Sequence, residues 1–303
     1  MIDFQRLDPE RREEYDRYLV PSGKGCEYSF VNLSIWGRQR AAFLDGFLVL
    51  HSQFDRRSVY PFPLGQGNVL PVLEKLMDDA HQRGIPCCFT GLDQAECDLL
   101  ETHFPGRFRI QPDRNTFDYL YSIHDLAELK GRKFQKKRNH LNRFRLEHPT
   151  WRTEPLSEDN LPAVRQMSHD WYAHRHDIDP HGSYTLERIA LDRAFSNPHG
   201  LGLEGLVLLE EDDRVLAFTM ASRLSPNTYD VHFEKAREDV DGAYTAINQA
   251  FAEYLRQAHP ELQFLNREDD MGLEGLRKAK LSYNPVEIRE KYWARLWEDD
   301  DES

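Results

Sequence analysis

The stretch Thr228-Tyr229-Asp230-Val231-His232-Phe233-Glu234-Lys235 decides the fold of the second half of this 303-residue chain. Its first six residues are mostly β-branched or aromatic and predict a strand. A helix from Tyr244 to about Ala258 follows, and Phe264-Leu265-Asn266 is the next strand. Two strands joined by a helix predict parallel neighbours in one sheet. We therefore expect the carboxyl ends of these two strands to lie side by side.

The rest of the second half completes one α/β unit around these strands. Its predicted elements are a strand Trp151–Leu156, a helix capped by Ser157 and running to about His174, a helix Leu186–Phe195, strands Leu203–Leu209 and Val215–Arg223, a helix Leu273–Leu281 and closing strands over Val286–Trp297.

The first half repeats the same order of elements. They are a strand Phe4–Leu7, a helix Pro9–Leu19, strands Ala41–Leu44, Phe47–Phe54 and Ser58–Phe62, a helix from Val69 that ends at Gly84, a strand Cys87–Thr90, a helix Gln94–His103, and strands Phe108–Gln111 and Thr116–Tyr121. This is the order of the acetyltransferase-like GNAT fold. The sequence therefore predicts an α/β (α+β) protein with a tandem GNAT fold, an acyl-CoA N-acyltransferase-like architecture of two mixed sheets flanked by helices. The predicted domains are residues 1–124 and 150–303.

A basic helix, predicted over Asp125 to about Glu147, connects the two domains as residues 125–149. Asp125 and Glu128 resemble a capping box at its start. The overall charge is −13, yet this segment has eight basic residues and no acidic one between Lys130 and Arg145. Two interpretations have equal weight. In one the cations contact a phosphate backbone; in the other they are solvated or pair with the acidic remainder of the protein.

The sequence predicts a globular, cytoplasmic protein and leaves peripheral association with a membrane open. No apolar run approaches the length of a membrane span, and the amino terminus lacks a signal-peptide pattern. The four cysteines lack the spacing of metal ligands and suit free thiols. His169, His174, His176 and His181 are spaced irregularly, which favours surface or core placement. No metal site is predicted.

The polar residues at the carboxyl ends of the two strands form the candidate active site. His232, Glu234, Glu268, Asp269 and Asp270 are candidates for taking a proton from the attacking nucleophile. Asn266, Arg267 and Tyr283 would position or polarise an acyl group. The side chains assigned to substrate binding are His232, Lys235, Arg277, Lys278, Lys280 and Tyr283, with Lys278 and Lys280 holding a phosphate-bearing donor. The alternative is an arginine–carboxylate network that joins the strand ends without chemistry.

Neither candidate loop suits the pyrophosphate of coenzyme A. The segment Pro63–Asn68 has two glycines but no positive charge, and Arg237–Ala243 contains three carboxylates. Because carboxylates repel a pyrophosphate, the sequence disfavours ordinary acetyl-CoA chemistry.

Four segments carry a resemblance to a known family. They are Phe117–Tyr121, Gly131–Lys133 with Lys137–His140, His232–Lys235, and Asn266–Gly272 with Gly275–Tyr283. On these residues, and more thinly over nearly the whole chain, the sequence resembles the stand-alone relatives of the phosphatidylglycerol lysyltransferase C-terminal domain. The resemblance implies a tandem GNAT fold. By wider analogy it implies transfer of an aminoacyl group from charged tRNA to a phosphatidylglycerol-like lipid or a soluble acceptor.

The resulting prediction is an acyl or aminoacyl transferase whose site lies in the second half. Charged tRNA would dock on Arg132, Lys133, Lys136, Lys137 and Arg138 of the basic helix. Two alternatives remain open. One is an N-acyltransferase that uses acyl-CoA as donor; the other is a catalytically silent protein that binds tRNA or another anionic ligand.

Overall fold

The computed structural model describes residues 1–54, 57–173 and 183–297. The strands are β1 (Gln5–Arg6), β2 (Arg38–Leu44), β3 (Phe47–Phe54), β4 (Arg57–Pro61), β5 (Leu64–Gly65), β6 (Cys88–Leu92), β7 (Phe108–Pro112), β8 (Asp118–Ser122), β9 (Arg152–Pro155), β10 (Glu204–Leu209), β11 (Val215–Ser225), β12 (Thr228–Ala236), β13 (Phe264–Asn266), β14 (Glu287–Arg289) and β15 (Tyr292–Leu296). The helices are α1 (Arg12–Leu19), α2 (Phe30–Ile35), α3 (Leu70–Arg83), α4 (Gln94–His103), α5 (Ile123–Glu128), α6 (Gln135–Glu147), α7 (Leu161–Ala173), α8 (Ser183–Ser196), α9 (Ala243–Ala258) and α10 (Glu274–Leu281).

The chain divides into two compact units that are not contiguous in sequence. The first contains Met1–Asp118, Asp269–Leu273 and the chain from Ile288 onward; the second contains Tyr119–Glu268 and Glu274–Glu287. The contiguous domain ranges 1–124, 125–149 and 150–303 remain a prediction about the two halves of the sequence.

The first unit is built on a mixed sheet with the order β1-β2-β3-β4-β6-β15-β7, and β5 pairs with β3. Helix α3 supplies Val72, Leu73 and Leu76 to its core, all fully buried. These positions recur every three or four residues, so one helical face packs inward. Gly84 ends the helix in a left-handed conformation with φ 66°, which a glycine adopts without strain.

The second unit has the sheet order β14-β8-β13-β12-β11-β10-β9. As predicted, β12 and β13 are parallel neighbours. Helix α9 contributes Ala246, Ile247 and Phe251 to the same hydrophobic core as residues of these strands.

Two strands do not join the sheet of the sequence half to which we assigned them. Strand β8, assigned to the first half, pairs with β13 in the second unit. Strand β15, assigned to the second half, pairs with β6 and β7 in the first unit. Position along the chain restricts only weakly which sheet a strand joins, because partners are chosen by tertiary packing.

The single basic helix predicted over residues 125–147 is wrong, because the chain bends between two helices. Leu129 and Gly131 have positive φ angles of 48° and 84° after α5. The predicted capping box is also displaced. The cap of α5 is Ser122, whose hydroxyl accepts a hydrogen bond from the backbone N–H of Asp125 at 3.2 Å.

Candidate active site

The parallel pairing of β12 with β13 stops well before β12 itself ends. Their parallel register ends at Asp230 and Asn266, while β12 continues to Ala236. The next residue, Arg267, donates its backbone N–H to the carbonyl of Tyr119 on β8 at 3.0 Å. The end of β13 therefore follows β8 rather than β12. Side chains near this point can contact a ligand, as at the carboxyl ends of strands in other open sheets.

A bulge in β12 directs Glu234 toward α9. Ala221 pairs with Val231 and Met220 with Phe233, so His232 is an extra residue in the strand. Tyr229 and Val231 before the bulge, and Ala236 after it, all belong to the core that contains α9. Side chains alternate between the two faces of a regular strand, so odd- and even-numbered residues face opposite sides. The extra residue shifts this alternation by one, so that odd-numbered residues before the bulge and even-numbered residues after it lie on the same face.

Glu234 lies at the centre of a cluster that we call the Glu234 cluster: Lys137, Glu234, Asn248, Arg267 and Tyr283. One carboxylate oxygen of Glu234 accepts from Nη2 of Arg267 at 2.7 Å, and the other accepts from Nδ2 of Asn248 at 3.3 Å. The Arg267 guanidinium carbon lies 4.9 Å from the ring centroid of Tyr283. Elements α6, β12 and α9 and the segments after β13 and α10 thus each contribute one side chain.

Two atoms of the Glu234 cluster are buried and have no hydrogen-bond partner among the described residues. They are Nη1 of Arg267, a cationic donor, and Oδ1 of Asn248, an acceptor. Asn248 is only 2% exposed. A buried polar atom without a partner is costly, and most such atoms in proteins are satisfied. The two atoms could therefore pair with a ligand that has both an acceptor oxygen and a hydrogen-bond donor.

Lys137 has an unusual environment for a residue of the basic helix. Its Nζ lies 3.6 Å from the centroid of the Tyr283 ring, and the side chain is half-buried. Burial, and then the neighbouring positive charge of Arg267, lower the pKa of Lys137 to about 8, although Glu234 acts in the opposite direction. The lysine is therefore partly deprotonated near pH 8.

A second buried cluster surrounds His232. Its Nε2 lies 2.8 Å from the Ser222 hydroxyl, and its Nδ1 lies 3.3 Å from Glu268 Oε1 and 3.7 Å from Asp230 Oδ2. The carbonyl oxygen of the Asn266 side chain accepts from the backbone N–H of Glu268 at 2.8 Å, and Glu268 has a φ of 54°. Asp230, His232 and Glu268 bring three ligand atoms within 4.8 Å of one another, so they could hold a metal ion.

The first unit contains another group with the same capacity, namely Cys26, Glu27 and Asp118. There the ammonium of Lys291 already lies 2.6 Å from Asp118 and contacts Glu27. A lysine therefore supplies the positive charge at that position. Of the irregularly spaced histidines, His174, His176 and His181 lie outside the described residues.

Several predicted substrate-binding residues lie away from the Glu234 cluster or have structural partners. Lys235 contacts Glu187 at 2.7 Å and lies 4.0 Å from the ring centroid of Trp171. Lys280 is buried, and its ammonium donates to the backbone carbonyl of Arg267. Lys278 is exposed and Arg277 is half-buried. The phosphate-binding role of Lys278 and Lys280 stays a prediction, while Lys280 has a structural role in the turn after β13.

Asp269 and Asp270 belong to the first unit, not to the unit that contains Glu234. The Asp270 carboxylate is fully buried; it contacts Arg114 at 3.1 Å and accepts from the backbone N–H of Gly272 at 2.9 Å. Asp269 accepts from the backbone N–H of Met271 at 3.2 Å. For Asp270 these contacts fit the alternative of an arginine–carboxylate network.

The five predicted tRNA contacts have different environments. Arg132 and Lys136 are exposed. Lys133 is exposed but pairs with Asp125 at 2.7 Å. Arg138 donates to the backbone carbonyls of Leu129 and Gly131, and so holds the bend between α5 and α6. The sequence could not distinguish these environments, because the exposure of a side chain on a helix depends on the segments that pack against it.

The comparisons with known proteins agree with this architecture. A conserved protein of unknown function from Bacteroides thetaiotaomicron VPI-5482 is 36% identical, with a TM-score of 0.92 over 98% of this chain and 100% of that chain. L-PGS from Bacillus licheniformis is 16% identical, with a TM-score of 0.69 over 98% of this chain and 94% of that chain. A tandem GNAT protein from the clavulanic acid biosynthesis pathway is 9% identical, with a TM-score of 0.51 over 98% and 99%. The protein therefore has the tandem GNAT fold.

The family is shown by the sequence match. The model of the phosphatidylglycerol lysyltransferase C-terminal family matches residues 22–295, so the chain belongs to that family. An uncharacterized protein of Mycoplasmoides gallisepticum is 26% identical over 179 residues, which are 59% of this chain and 56% of that protein. Among the described residues, no helix combines the length and the apolar composition that crossing a membrane requires.

Proposed function

We propose that this chain transfers an aminoacyl group from charged tRNA to a hydroxyl- or amine-bearing acceptor, and that the Glu234 cluster is the reaction site. The observation that carries the proposal is the pair of unpartnered buried atoms, Nη1 of Arg267 and Oδ1 of Asn248. The aminoacylated end of a tRNA offers acceptor oxygens for the first, in its ester and in the adjoining phosphodiester, and an ammonium or hydroxyl donor for the second. Membership of the lysyltransferase family supports the same reaction class.

The chemistry requires one bond to form and one to break. The acceptor oxygen or nitrogen attacks the ester carbonyl carbon, and the bond from that carbon to the ribose oxygen breaks. The acceptor loses a proton and the ribose oxygen gains one. Glu234 is the carboxylate that lies beside both unpartnered atoms, so we assign it the transfer of this proton.

The loop before α9 is poorly suited to bind the pyrophosphate of an acyl-CoA donor. Arg237 is the cation of this loop, and its Nε donates to the backbone carbonyl of Val215 at 3.0 Å. Two carboxylates of the same loop, Asp239 and Asp241, pair with Arg214 at 2.8 Å and with Arg143 at 2.9 Å. Carboxylates at a helix start disfavour a pyrophosphate there.

The test is mass spectrometry of products after incubation of the protein with total charged tRNA and a cell extract of lipids and metabolites. We expect an aminoacylated product, and a decrease in its rate of about 100-fold or more for Glu234→Gln, because the amide cannot accept the proton. The control is Glu274→Gln, an exposed carboxylate at the start of α10. Thermal unfolding checks that both variants are folded.

Each other outcome contradicts the proposal in a distinct way. No product with intact tRNA binding would favour a silent binding protein. No product and no binding, together with a melting temperature that rises with coenzyme A, would favour an acyl-CoA donor. A normal rate in Glu234→Gln would remove Glu234 from the reaction.

A further inference from the structure

We propose that Lys137 and Arg267 form a binding site for a phosphate group beside the ring of Tyr283. The sequence placed Lys137 among the residues of a basic surface; its contacts differ from those of that surface. The inference rests on the proposed function only for the source of the phosphate, which we assign to the terminal nucleotides of the tRNA donor.

Both cations approach the same aromatic ring. Nζ of Lys137 lies 3.6 Å from the centroid of the Tyr283 ring, and the guanidinium carbon of Arg267 lies 4.9 Å from it. Tyr283 is 6% exposed, and its hydroxyl lies 3.5 Å from that of Thr245. The ring is therefore held in place and restricts where the two cationic groups can lie.

Neither cation is fully satisfied by the protein. Among the residues that the structure describes, Lys137 makes no hydrogen bond or ion pair, and only Nη2 of Arg267 reaches Glu234. Nη1 of Arg267 is buried without a partner. Two positive charges thus meet the single negative charge of Glu234, which leaves an excess of one positive charge in a partly desolvated site. The lowered pKa of Lys137 agrees with this excess.

A phosphate is the ligand that fits these donors best. It presents several anionic oxygens, so a guanidinium N–H and an ammonium can each donate to a different oxygen. The other unpartnered atom, Oδ1 of Asn248, accepts from a donor on the same ligand, such as a ribose hydroxyl. A phosphodiester next to a ribose has both groups.

The first experiment measures binding of the dinucleotide cytidylyl-(3′→5′)-adenosine, which has one phosphodiester and the end sequence of tRNA, by titration calorimetry. We expect Lys137→Gln to weaken binding about tenfold or more, because a charge-assisted hydrogen bond is lost. The matched control is Arg145→Gln, an exposed cation on the same helix, which should change the affinity less than twofold. Equal affinities of the wild type and Lys137→Gln would overturn the proposal.

The pH dependence gives a second readout. A bound phosphate stabilises the charged ammonium, so it raises the pKa of Lys137 and the affinity falls as pH rises from 7 to 9. The diester does not titrate in this range, so the change reports on the protein. Lys137→Gln should bind the dinucleotide with the same affinity at both pH values, because the titrating group is gone. The variant should also unfold at no lower temperature than the wild type, because the ammonium of Lys137 forms no ion pair. A dependence on pH that persists in Lys137→Gln would contradict the assignment.

A third arm uses glycerol 1-phosphate, which lacks the nucleoside. Binding of this probe but not of the dinucleotide, with loss in Lys137→Gln, would keep the phosphate site and overturn its assignment to the tRNA donor. Binding of the dinucleotide that depends on Lys137, in a protein that forms no aminoacylated product, would support the site and contradict the proposed function.

Discussion

At the scale of single residues, Lys291 stabilises a group of buried charges in the first unit. It is 5% exposed, and its ammonium lies 2.6 Å from Asp118 and 3.5 Å from the sulfur of Cys26. Burial alone would lower the pKa of Lys291, but Asp118, Cys26 and Glu27 raise it well above its usual value. Asp118 in turn accepts from the backbone N–H of Cys26 at 2.8 Å. The positive charge of Lys291 is therefore needed to compensate the negative charge at this buried position.

We predict that Lys291→Met lowers the free energy of unfolding by about 3–5 kcal/mol, because it removes one partner of a buried ion pair. Urea denaturation measures the loss. In the double variant Lys291→Met, Asp118→Asn part of the stability should return, since the fully buried carboxylate of Asp118 is neutralised and only the partly exposed carboxylate of Glu27 lacks its partner. A single variant as stable as the wild type would contradict this role.

The pH dependence of this contribution has a definite sign. Because the folded-state pKa of Lys291 is raised, its contribution is fully present below the unfolded pKa of about 10.5. It is lost only as the pH rises above that value.

At the same scale, sequence reasoning found part of the candidate site. Arg267 directly follows β13, and Glu234 lies in the part of β12 beyond its pairing with β13, so their position at the carboxyl ends of the two strands could be predicted. Asn248 could not, because a helical asparagine 14 residues after Glu234 has no local signal. Lys137 was found as a cation, but its contact with Tyr283 depends on two segments far apart in sequence.

At the scale of elements, Arg138 holds the bend between α5 and α6. Its guanidinium donates to two backbone carbonyls left by the end of α5, at Leu129 and Gly131. We predict that Arg138→Ala lowers the free energy of unfolding by about 1–3 kcal/mol, because these acceptors lose a charged donor. Arg145→Ala, on an exposed side chain of the same helix, should change it by less than about 0.5 kcal/mol. Equal effects of the two variants in urea denaturation would show that the bend does not depend on Arg138.

This structural role affects a test of the basic helix for tRNA docking. A variant with alanine at Lys136, Lys137 and Arg138 removes one exposed cation, one member of the Glu234 cluster and the residue that holds the bend. Weaker binding would then have three causes. Arg132→Ala combined with Lys136→Ala is the better variant, and it should weaken tRNA binding and reduce its dependence on salt.

A further feature at the scale of elements that the sequence did not indicate is the bulge in β12. The extra residue His232 lies in an uninterrupted β-rich run without glycine or proline. The bulge is a feature of the pairing between β12 and β11, and local strand propensity carries no information about that pairing. The bulge nevertheless determines that Glu234 faces Asn248.

At the scale of the whole molecule, the last strand among the described residues is an interior strand of the first unit. Strand β15 lies between β6 and β7, and Ala294 on it is fully buried in the core that includes Val72 and Phe89. We predict that Ala294→Asp lowers the free energy of unfolding by more than about 4 kcal/mol, because a carboxylate would enter an apolar core. The exposed neighbour Arg295 is the control, as Arg295→Gln. Thermal unfolding of Ala294→Asp at the wild-type temperature would contradict this placement.

The sequence by itself determined the order of most of the elements and the tandem GNAT fold, because helix and strand periods, caps and turns depend on neighbours a few residues apart. It also determined that polar side chains lie at the carboxyl ends of β12 and β13. Only the tertiary structure decided that β8 and β15 join the sheets they do, that His232 forms a bulge, and that Lys137, Asn248 and Tyr283 meet Glu234. These features arise from packing between segments distant in sequence, where burial and hydrogen-bond satisfaction outweigh local preference.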